Sequence, residues 1–182
     1  MRVILAGILG GIALFIWGYI SWMVLPWHNT SLHRWANEQV VSDAINANSP
    51  MSGVYISPMK YDTNATSSNA EAPMIFVSIT RNGMQSPMWV PALVTLFAEI
   101  VAACIVAWML FRTSNLGFFS CVSFVTVFGI AAGIVSHIPY MTWFGFGYYF
   151  TAVQIADLVI GWYFAGVLMA LVYLSHKKSR LP

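Results

Sequence analysis

Four long apolar runs constrain the fold of this 182-residue chain more than any other feature. They cover residues 3–25, 89–111, 116–137 and 148–174. Each run exceeds the roughly 20 residues that an α-helix needs to cross the ~30 Å apolar core of a bilayer. Only 8% of the residues are charged, whereas a typical soluble domain has about 25%. We therefore expect an all-α membrane protein built as a four-transmembrane-helix bundle, with lipid as its main solvent.

The first run lies close to the N-terminus, behind Arg2, where a secretory signal peptide would lie. The apolar part of a signal peptide is only about 7–15 residues long and is followed by a small-x-small cleavage site. The run here is longer, and no such site precedes the polar stretch after it. We expect this first run to be retained as a membrane anchor.

The distribution of Lys and Arg predicts the orientation of the helices. If the helices alternate in direction, one side of the membrane receives five basic residues, namely Arg2, Arg112, Lys177, Lys178 and Arg180. The other side receives Arg34, Lys60 and Arg81, which acidic residues offset. Because loops rich in Lys and Arg stay in the cytoplasm, we expect both termini and the basic tail, residues 175–182, to be cytoplasmic. Residues 26–88 then lie on the outer side.

Residues 26–88 combine helical and strand patterns in one small domain. Apolar side chains recur at near-helical spacing over residues 31–48. The segments 53–57 and 74–80 are rich in β-branched and aromatic residues and favour strands, with a long polar hairpin loop between them. One helix and one hairpin are too few for a stable independent core. We expect a small α+β outer domain, between helices 1 and 2, that packs on the helix ends or on a partner protein.

Small residues recur on one side of several apolar runs and predict close helix packing. The glycines of this pattern are Gly7, Gly11, Gly18, Gly129, Gly133 and Gly161. Small residues four apart allow helix backbones to approach closely in lipid. Both packing within one bundle and association of two copies use such faces, and the pattern favours the first.

Two carboxylates interrupt the apolar runs. Glu99 lies ten residues into the second run and Asp157 nine residues into the fourth. At about 1.5 Å per residue, both acids lie about 14–15 Å deep, near the midplane of the bilayer. An acid at this depth costs about 2.5–3.5 kcal/mol to insert and therefore marks a candidate functional site. With Thr95 on the face of Glu99 and Gln154 on the face of Asp157, we expect an intramembrane polar cluster.

Two histidines lie at the outer boundary of the same bundle. His28 follows the first run and His137 ends the third, where Pro139 is expected to stop the helix. We expect these two imidazoles to approach each other above the acids and to form a candidate ligand or metal site. Imidazole is the commonest metal ligand, but the two histidines lack H-x-x-H spacing. The sequence therefore requires no metal or haem.

Three interpretations of these polar groups remain open. In the first, which the pattern favours, the acids are protonated, form hydrogen bonds with their neighbours and set the register of the bundle. In the second, the site binds a ligand, a metal or haem through His28 and His137, or conducts protons through Glu99 and Asp157. In the third, the groups catalyse a reaction, but no serine–histidine, H-E-x-x-H or C-x-x-C arrangement supports an enzyme.

Composition argues against two function classes. Cys104 and Cys121 lie inside apolar runs, and residues 26–88 contain no cysteine. A membrane thiol oxidoreductase, which needs redox cysteines in its outer loops, therefore does not fit. The net charge of +2 comes mostly from residues at helix ends, and no basic run with interleaved aromatic residues occurs outside the tail. We expect no nucleic-acid partner.

The stretch W-G-Y-I-S-W-M-V-L-P-W-H-N at residues 17–29 resembles a family of small four-helix bacterial integral membrane proteins of which no activity is established. S-H-I-P-Y at residues 136–140 and D-L-V-I-G-W at residues 157–162 are similar to the same family. The resemblance covers nearly the whole chain. It implies a bacterial inner (cytoplasmic) membrane, and hence a periplasmic position for residues 26–88, but it implies no activity.

These features favour a non-enzymatic accessory or interaction subunit of a membrane complex. Besides the lipid bilayer, its partner is expected to be another protein or a second copy of the chain, because the outer domain has an incomplete core. The alternative is a small protein that handles a ligand, a metal or haem, or protons. It would use the outer-face histidines and the midplane carboxylates.

Overall fold

The computed structural model of the chain describes residues 1–58, 73–81, 83 and 86–178. Most of the expected hairpin loop and the end of the basic tail lie outside these residues. The described residues form α1 (Arg2–Met23), α2 (Trp27–Ser31), α3 (Glu38–Asn48), β1 (Gly53–Ser57), β2 (Ile75–Ile79), α4 (Trp89–Arg112), α5 (Phe118–Phe144) and α6 (Tyr148–Lys178). Four of these helices, α1, α4, α5 and α6, are long and apolar enough to cross a membrane, as expected for a multi-pass membrane protein.

Helix α5 continues through Pro139, although we expected this residue to end it near His137. Proline lacks the N–H that would bond to the carbonyl four residues earlier. Membrane helices tolerate this loss because nearby hydroxyl groups and neighbouring helices satisfy the freed backbone groups. The helix ends before Gly145, whose φ of 73° is left-handed and favours glycine.

Helices α1 and α6 form the centre of the bundle. α1 packs against both α4 and α6, and α6 packs against both α1 and α5, whereas α4 and α5 make few contacts. The order in space is therefore α4–α1–α6–α5, with antiparallel neighbours. Both ends of the described chain consequently lie at one end of the bundle, which we call the terminal end. The described residues between 26 and 88, which we call the connecting domain, lie at the opposite end, which we call the domain end.

Glycines make the closest approaches between these helices. A Cβ atom on Gly11 would lie 2.5 Å from Ile100 Cα of α4, and one on Gly129 would lie 2.8 Å from Trp162 Cβ of α6. Three more of the expected packing glycines also face a neighbouring helix of the same chain, namely Gly7, Gly133 and Gly161. Gly18, which its spacing placed on the same face, has open space around its Cβ position. The five glycines other than Gly18 therefore pack within one bundle.

The apolar core lies at the terminal end. The buried residues of α4 all lie in its second half, and they are Ala103, Val106, Ala107 and Leu110. They belong to one core cluster with the first half of α1, the first turns of α5 and the second half of α6. At the domain end, by contrast, the first half of α4 is largely exposed, and Phe97 is 69% exposed. The bundle is therefore closed at the terminal end and more open at the domain end.

The connecting domain consists of two helices and a hairpin. The helix expected over residues 31–48 is shorter and begins at Glu38, because the Asn37 side chain caps the start of α3 by accepting the Val40 N–H at 3.1 Å. Strands β1 and β2 pair antiparallel, with Tyr55 opposite Val77. Phe76 of β2 packs on Phe144 at the end of α5, with 4.5 Å between ring centroids. The hairpin is thus anchored to the corner between α5 and α6.

Candidate functional site

A sharp turn after α1 brings His28 back over the bundle. Pro26 precedes the short helix α2, and α2 packs against α6. The His28 side chain is consequently only 1% exposed. Its Nε2 atom lies 2.9 Å from Ser21 Oγ of α1 and 3.5 Å from Asp157 Oδ2 of α6. These contacts join three helices through polar groups.

Two tryptophans donate hydrogen bonds to this group. Trp17 Nε1 donates to Asp157 Oδ1 at 2.7 Å and to the Asp157 main-chain oxygen at 3.0 Å. Trp27 Nε1 donates to Ser21 Oγ at 2.9 Å. We call Trp17, Ser21, Trp27, His28 and Asp157 the polar cluster. It is largely shielded from solvent, where hydrogen bonds are stronger than in water.

Aromatic rings close the polar cluster around the imidazole. The Trp22 ring stacks on the His28 ring, with 3.8 Å between centroids and 10° between planes. Trp27 meets the same ring edge-on at 5.6 Å. Trp17 and Trp27 also contact each other at 6.1 Å. Trp22 and Trp27 therefore enclose a buried histidine.

The hydrogen-bond partners favour one tautomer of His28. Its Nδ1 atom is buried and has no hydrogen-bond partner among the described residues. A proton on Nδ1 would therefore be a buried donor without an acceptor, which is unfavourable. With the proton on Nε2, the ring donates towards Ser21 Oγ and Asp157 Oδ2, and Nδ1 is a bare acceptor. We assign the Nε2–H tautomer on the basis of these partners.

The polar cluster does not form a serine–histidine–aspartate relay. In such a relay the carboxylate binds one ring nitrogen and the serine hydroxyl binds the other. Here Ser21 Oγ and Asp157 Oδ2 both approach Nε2 of His28. The carboxylate therefore cannot orient the ring from behind while Nε2 activates the serine. The geometry holds α1, α2 and α6 together and does not prepare Ser21 as a nucleophile.

Glu99 lies on α4, which makes few contacts with α6, the helix that carries Asp157. The expected grouping of the two acids at one level stays a prediction. Glu99 is half-buried, and its Oε2 atom is buried without a hydrogen-bond partner among the described residues. Thr95, which precedes it by one turn, is exposed. Of the expected intramembrane cluster, only Asp157 contributes to the polar cluster.

Gln154 and His137 lie together in a different place. Both line a cavity of about 340 Å³ between the last turns of α5 and the first turns of α6. Ser136 and Thr151 line the same cavity. His28 is not among its lining residues. The two histidines that we expected to act together therefore belong to different sites.

The described residues contain no group of three or more His, Cys, Asp or Glu side chains that could hold a metal ion. His28 is bound by a serine and a single carboxylate. His137 bonds through Nδ1 to Ser136 Oγ and the Gly133 carbonyl. Neither histidine therefore has the set of three or four protein ligands that a zinc site uses.

The sequence reasoning missed the hydrogen-bonding residues of α1. Trp17 and Ser21 are four residues apart, and so lie on one face of a helix, and Trp27 and His28 follow directly after Pro26. An indole N–H and a hydroxyl on one face of a helix, followed in the sequence by a histidine, were a usable signal. It was hidden because Trp and Ser also occur in ordinary lipid-facing and packing positions.

The three stretches that carry the family resemblance also contain these sites. Residues 17–29 supply four members of the polar cluster, Asp157 opens the stretch 157–162, and His137 lies in the stretch 136–140. No protein-family model, no curated protein and no solved structure matches the chain. The function is therefore argued from the geometry of the chain itself.

Proposed function

We propose that this chain is a multi-pass protein of a bacterial inner membrane and acts as a non-enzymatic accessory subunit. In this proposal both termini are cytoplasmic, and the connecting domain lies in the periplasm and binds a protein partner. One observation carries the proposal. An open apolar groove of about 710 Å³, which we call the groove, lies between α3, the β1–β2 hairpin and the corner between α5 and α6.

Helix α3 faces the groove without being buried. Its residues that line the groove include Val40, Val41, Ala44 and Ile45. None of the residues of α3 is buried, and Val40 is 61% exposed. A helix of 11 residues is marginal in water unless an apolar face packs against something. A partner that fills the groove would bury this face and stabilise α3.

Aromatic contacts connect one wall of the groove to the long helices. Phe76, which lines the groove, packs against Phe144, Phe146 and Tyr140 at the corner between α5 and α6. Arg81 donates from its side chain to the Ser49 carbonyl and so links the end of the hairpin to the end of α3. A partner in the groove would therefore contact a platform fixed to the bundle.

The chemistry around the groove fits a protein partner. The centre of the groove is apolar and aromatic, whereas Glu38, Gln39 and Asp43 are exposed on the same helix and do not line it. An apolar centre with a polar rim is the usual anatomy of a protein–protein interface. In this proposal the polar cluster has a structural role and sets the register of α1, α2 and α6.

The proposal is tested by site-specific photo-crosslinking in native membranes. A photoreactive residue is placed at Val40 or Ala44, which line the groove, and at Ser42 or Asn46, which are exposed and do not line it. We expect one discrete adduct from the groove positions and none from the controls. Mass spectrometry then identifies the adduct, and the tagged partner should recover this chain in return.

Two results would contradict the accessory function. The first is equal cross-linking from all four positions, since that would indicate random collisions. The second is a chain that purifies alone from every mild detergent and yields no adduct from Val40 or Ala44. An adduct that consists of two copies of this chain would replace the heterologous partner with a homo-oligomer.

A further inference from the structure

The cavity between α5 and α6 is a second site, on a part of α6 that the polar cluster does not use. Its volume of about 340 Å³ lies in the range of small-molecule sites, which combine apolar walls with a few converging polar groups. Tyr140, Phe146 and Phe150 supply aromatic walls. Thr151, Gln154 and His137 supply polar groups.

Two of these polar groups lack a partner. The Thr151 side chain is 3% exposed, and its Oγ1 atom forms no hydrogen bond within the described part of the chain. Buried hydroxyl groups are nearly always paired, so an unpaired one requires an explanation. The Gln154 amide, which can both donate and accept, also forms no hydrogen bond with any described residue. Both groups border the cavity, where a ligand would satisfy them.

His137, which lines the cavity, has one ring nitrogen that is free to accept a hydrogen bond. Its Nδ1 atom lies 3.2 Å from the Gly133 carbonyl, which can only accept, so the ring proton is assigned to Nδ1. Ser136 Oγ lies 2.7 Å from the same atom and donates its own proton to the Ala132 carbonyl. In the neutral ring Nε2 is then a free acceptor, and it has no partner among the described residues. A ligand hydroxyl is the complementary group.

The lining excludes a charged ligand and a metal. Among the described residues, the wall of the cavity has no Lys, Arg, Asp or Glu, and burial of a charge without a partner is strongly unfavourable. The described lining contains one histidine and no thiol or carboxylate, whereas metal sites need several such ligands. The three aromatic rings instead suit a flat aromatic ring, which packs well against other rings.

We infer that this cavity binds a small uncharged aromatic molecule that carries one hydroxyl and a second oxygen acceptor. The hydroxyl donates to His137 Nε2, and the acceptor, whose oxygen has two lone pairs, receives hydrogen bonds from both the Thr151 hydroxyl and the Gln154 amide. This inference does not rest on the accessory function, because Thr151 and Gln154 do not line the groove. The two ideas can therefore fail separately.

The test uses 4-hydroxyacetophenone as the probe, at a pH below 7 where it is uncharged. Binding to the purified full chain in detergent is followed by ligand-observed NMR titration. We expect saturable binding, weakened about tenfold by Thr151→Val and by Gln154→Leu, because each removes one hydrogen bond to the probe. Thr142→Val is the matched control. Thr142 lies on the same end of α5, bonds to its own helix and does not line the cavity, so this variant should bind as the wild type does.

Two further readouts separate ligand binding from a structural role. Because Thr151 Oγ1 has no partner, Thr151→Val should unfold at the same temperature as the wild type, or higher, without probe. The methyl ether, 4-methoxyacetophenone, cannot donate to His137 and should bind about tenfold more weakly. Absence of saturable binding to the wild type would overturn the inference. Equal affinity of the wild type, Thr151→Val and Gln154→Leu would overturn it as well.

Discussion

Asp157 Oδ2 lies 3.5 Å from His28 Nε2, and this contact links the fourth long helix to a short helix that follows the first. The same carboxylate accepts the Trp17 indole N–H at 2.7 Å. Each carboxylate oxygen of Asp157 therefore contacts a residue of another helix, namely Trp17 of α1 or His28 of α2. We propose that this acid, in the middle of an apolar helix, holds α1, α2 and α6 in one register.

Replacement of Asp157 by leucine should destabilise the bundle. The change removes the carboxylate that the Trp17 indole and the His28 imidazole share, and leaves them only the main-chain oxygen of residue 157 and Ser21 Oγ, respectively. The loss of such a buried hydrogen-bond acceptor costs about 1–3 kcal/mol. Asp157→Asn retains an acceptor oxygen for Trp17 and should cost less. The measurement is the free energy of unfolding in mixed micelles. If Asp157→Leu is as stable as the wild type, the polar cluster does not set the register.

The hydrogen bond between Trp17 and the Asp157 carboxylate should appear as a coupling energy in a double-mutant cycle of unfolding free energies. Trp17→Phe and Asp157→Leu each break the same hydrogen bond, so the double variant should lose less stability than the sum of the two single variants. For residues in direct contact this difference is about 0.5–3 kcal/mol. Trp108→Phe, on an exposed face of α4, serves as the control and should combine additively with Asp157→Leu. Full additivity of the Trp17 pair would contradict the contact.

Gly11 and Gly18 on α1 should respond differently to the same substitution. A Cβ on Gly11 would lie 2.5 Å from the backbone of α4 at Ile100, whereas a Cβ on Gly18 would meet open space. Gly11→Ala should therefore force α1 and α4 apart and cost about 1–3 kcal/mol, as overpacking does. Gly18→Ala should be neutral or slightly stabilising. Thermal unfolding of the two variants in one detergent compares them, and equal melting temperatures would contradict the packing of α1 on α4.

Phe76→Ala should release the hairpin from the bundle. Phe76 packs against three aromatic rings of the corner between α5 and α6, and each aromatic pair contributes about 0.5–1.5 kcal/mol beyond burial. Trypsin should consequently cleave after Arg81 about tenfold faster or more, while the helices retain their unfolding temperature. Phe119→Ala, which changes an 82% exposed phenylalanine, is the control. Unchanged cleavage in Phe76→Ala would show that the hairpin is held by other contacts.

The orientation predicted from Lys and Arg can be tested in living bacteria. A green fluorescent protein fused to the C-terminus should fluoresce, because this reporter folds in the cytoplasm and the basic tail is expected there. A cysteine introduced at Ser42 should react with a membrane-impermeant maleimide applied to spheroplasts. Cys104 and Cys121 lie within the long helices or beside their ends and provide the background. A dark fusion with an unreactive position 42 would indicate the inverted orientation.

Several features of the connecting domain and of α5 were not predictable from local pattern. Pro139 normally signals the end of a helix, yet α5 continues past it to Gly145. The helix expected to begin near residue 31 begins at Glu38 instead, because the Asn37 side chain caps it. Both differences have one cause. The end of a helix depends on whether its unpaired backbone groups find other partners, and those partners are not encoded in periodicity.

The candidate site also could not be predicted in full from local sequence pattern, as the two acids expected at the midplane show. Their depth was predicted by counting residues along two apolar runs. Their partners do not follow from counting. Gln154 lies only three residues before Asp157, yet it lines a cavity with His137, while Asp157 bonds to His28 and Trp17. A helix that is apolar on all sides gives no pattern from which its rotation could be read.

The number and the apolar character of the long helices were determined by the sequence alone. Transfer of a segment into lipid depends on the summed properties of about 20 consecutive side chains, which can be read along the chain. The tertiary structure decided which faces meet. Trp17 and Asp157 are 140 residues apart, and their hydrogen bond depends on the rotation and spacing of two helices. That geometry is set by close packing at glycines and by polar pairs in an apolar surrounding. Hydrophobicity alone does not distinguish among alternative rotations and spacings of the helices.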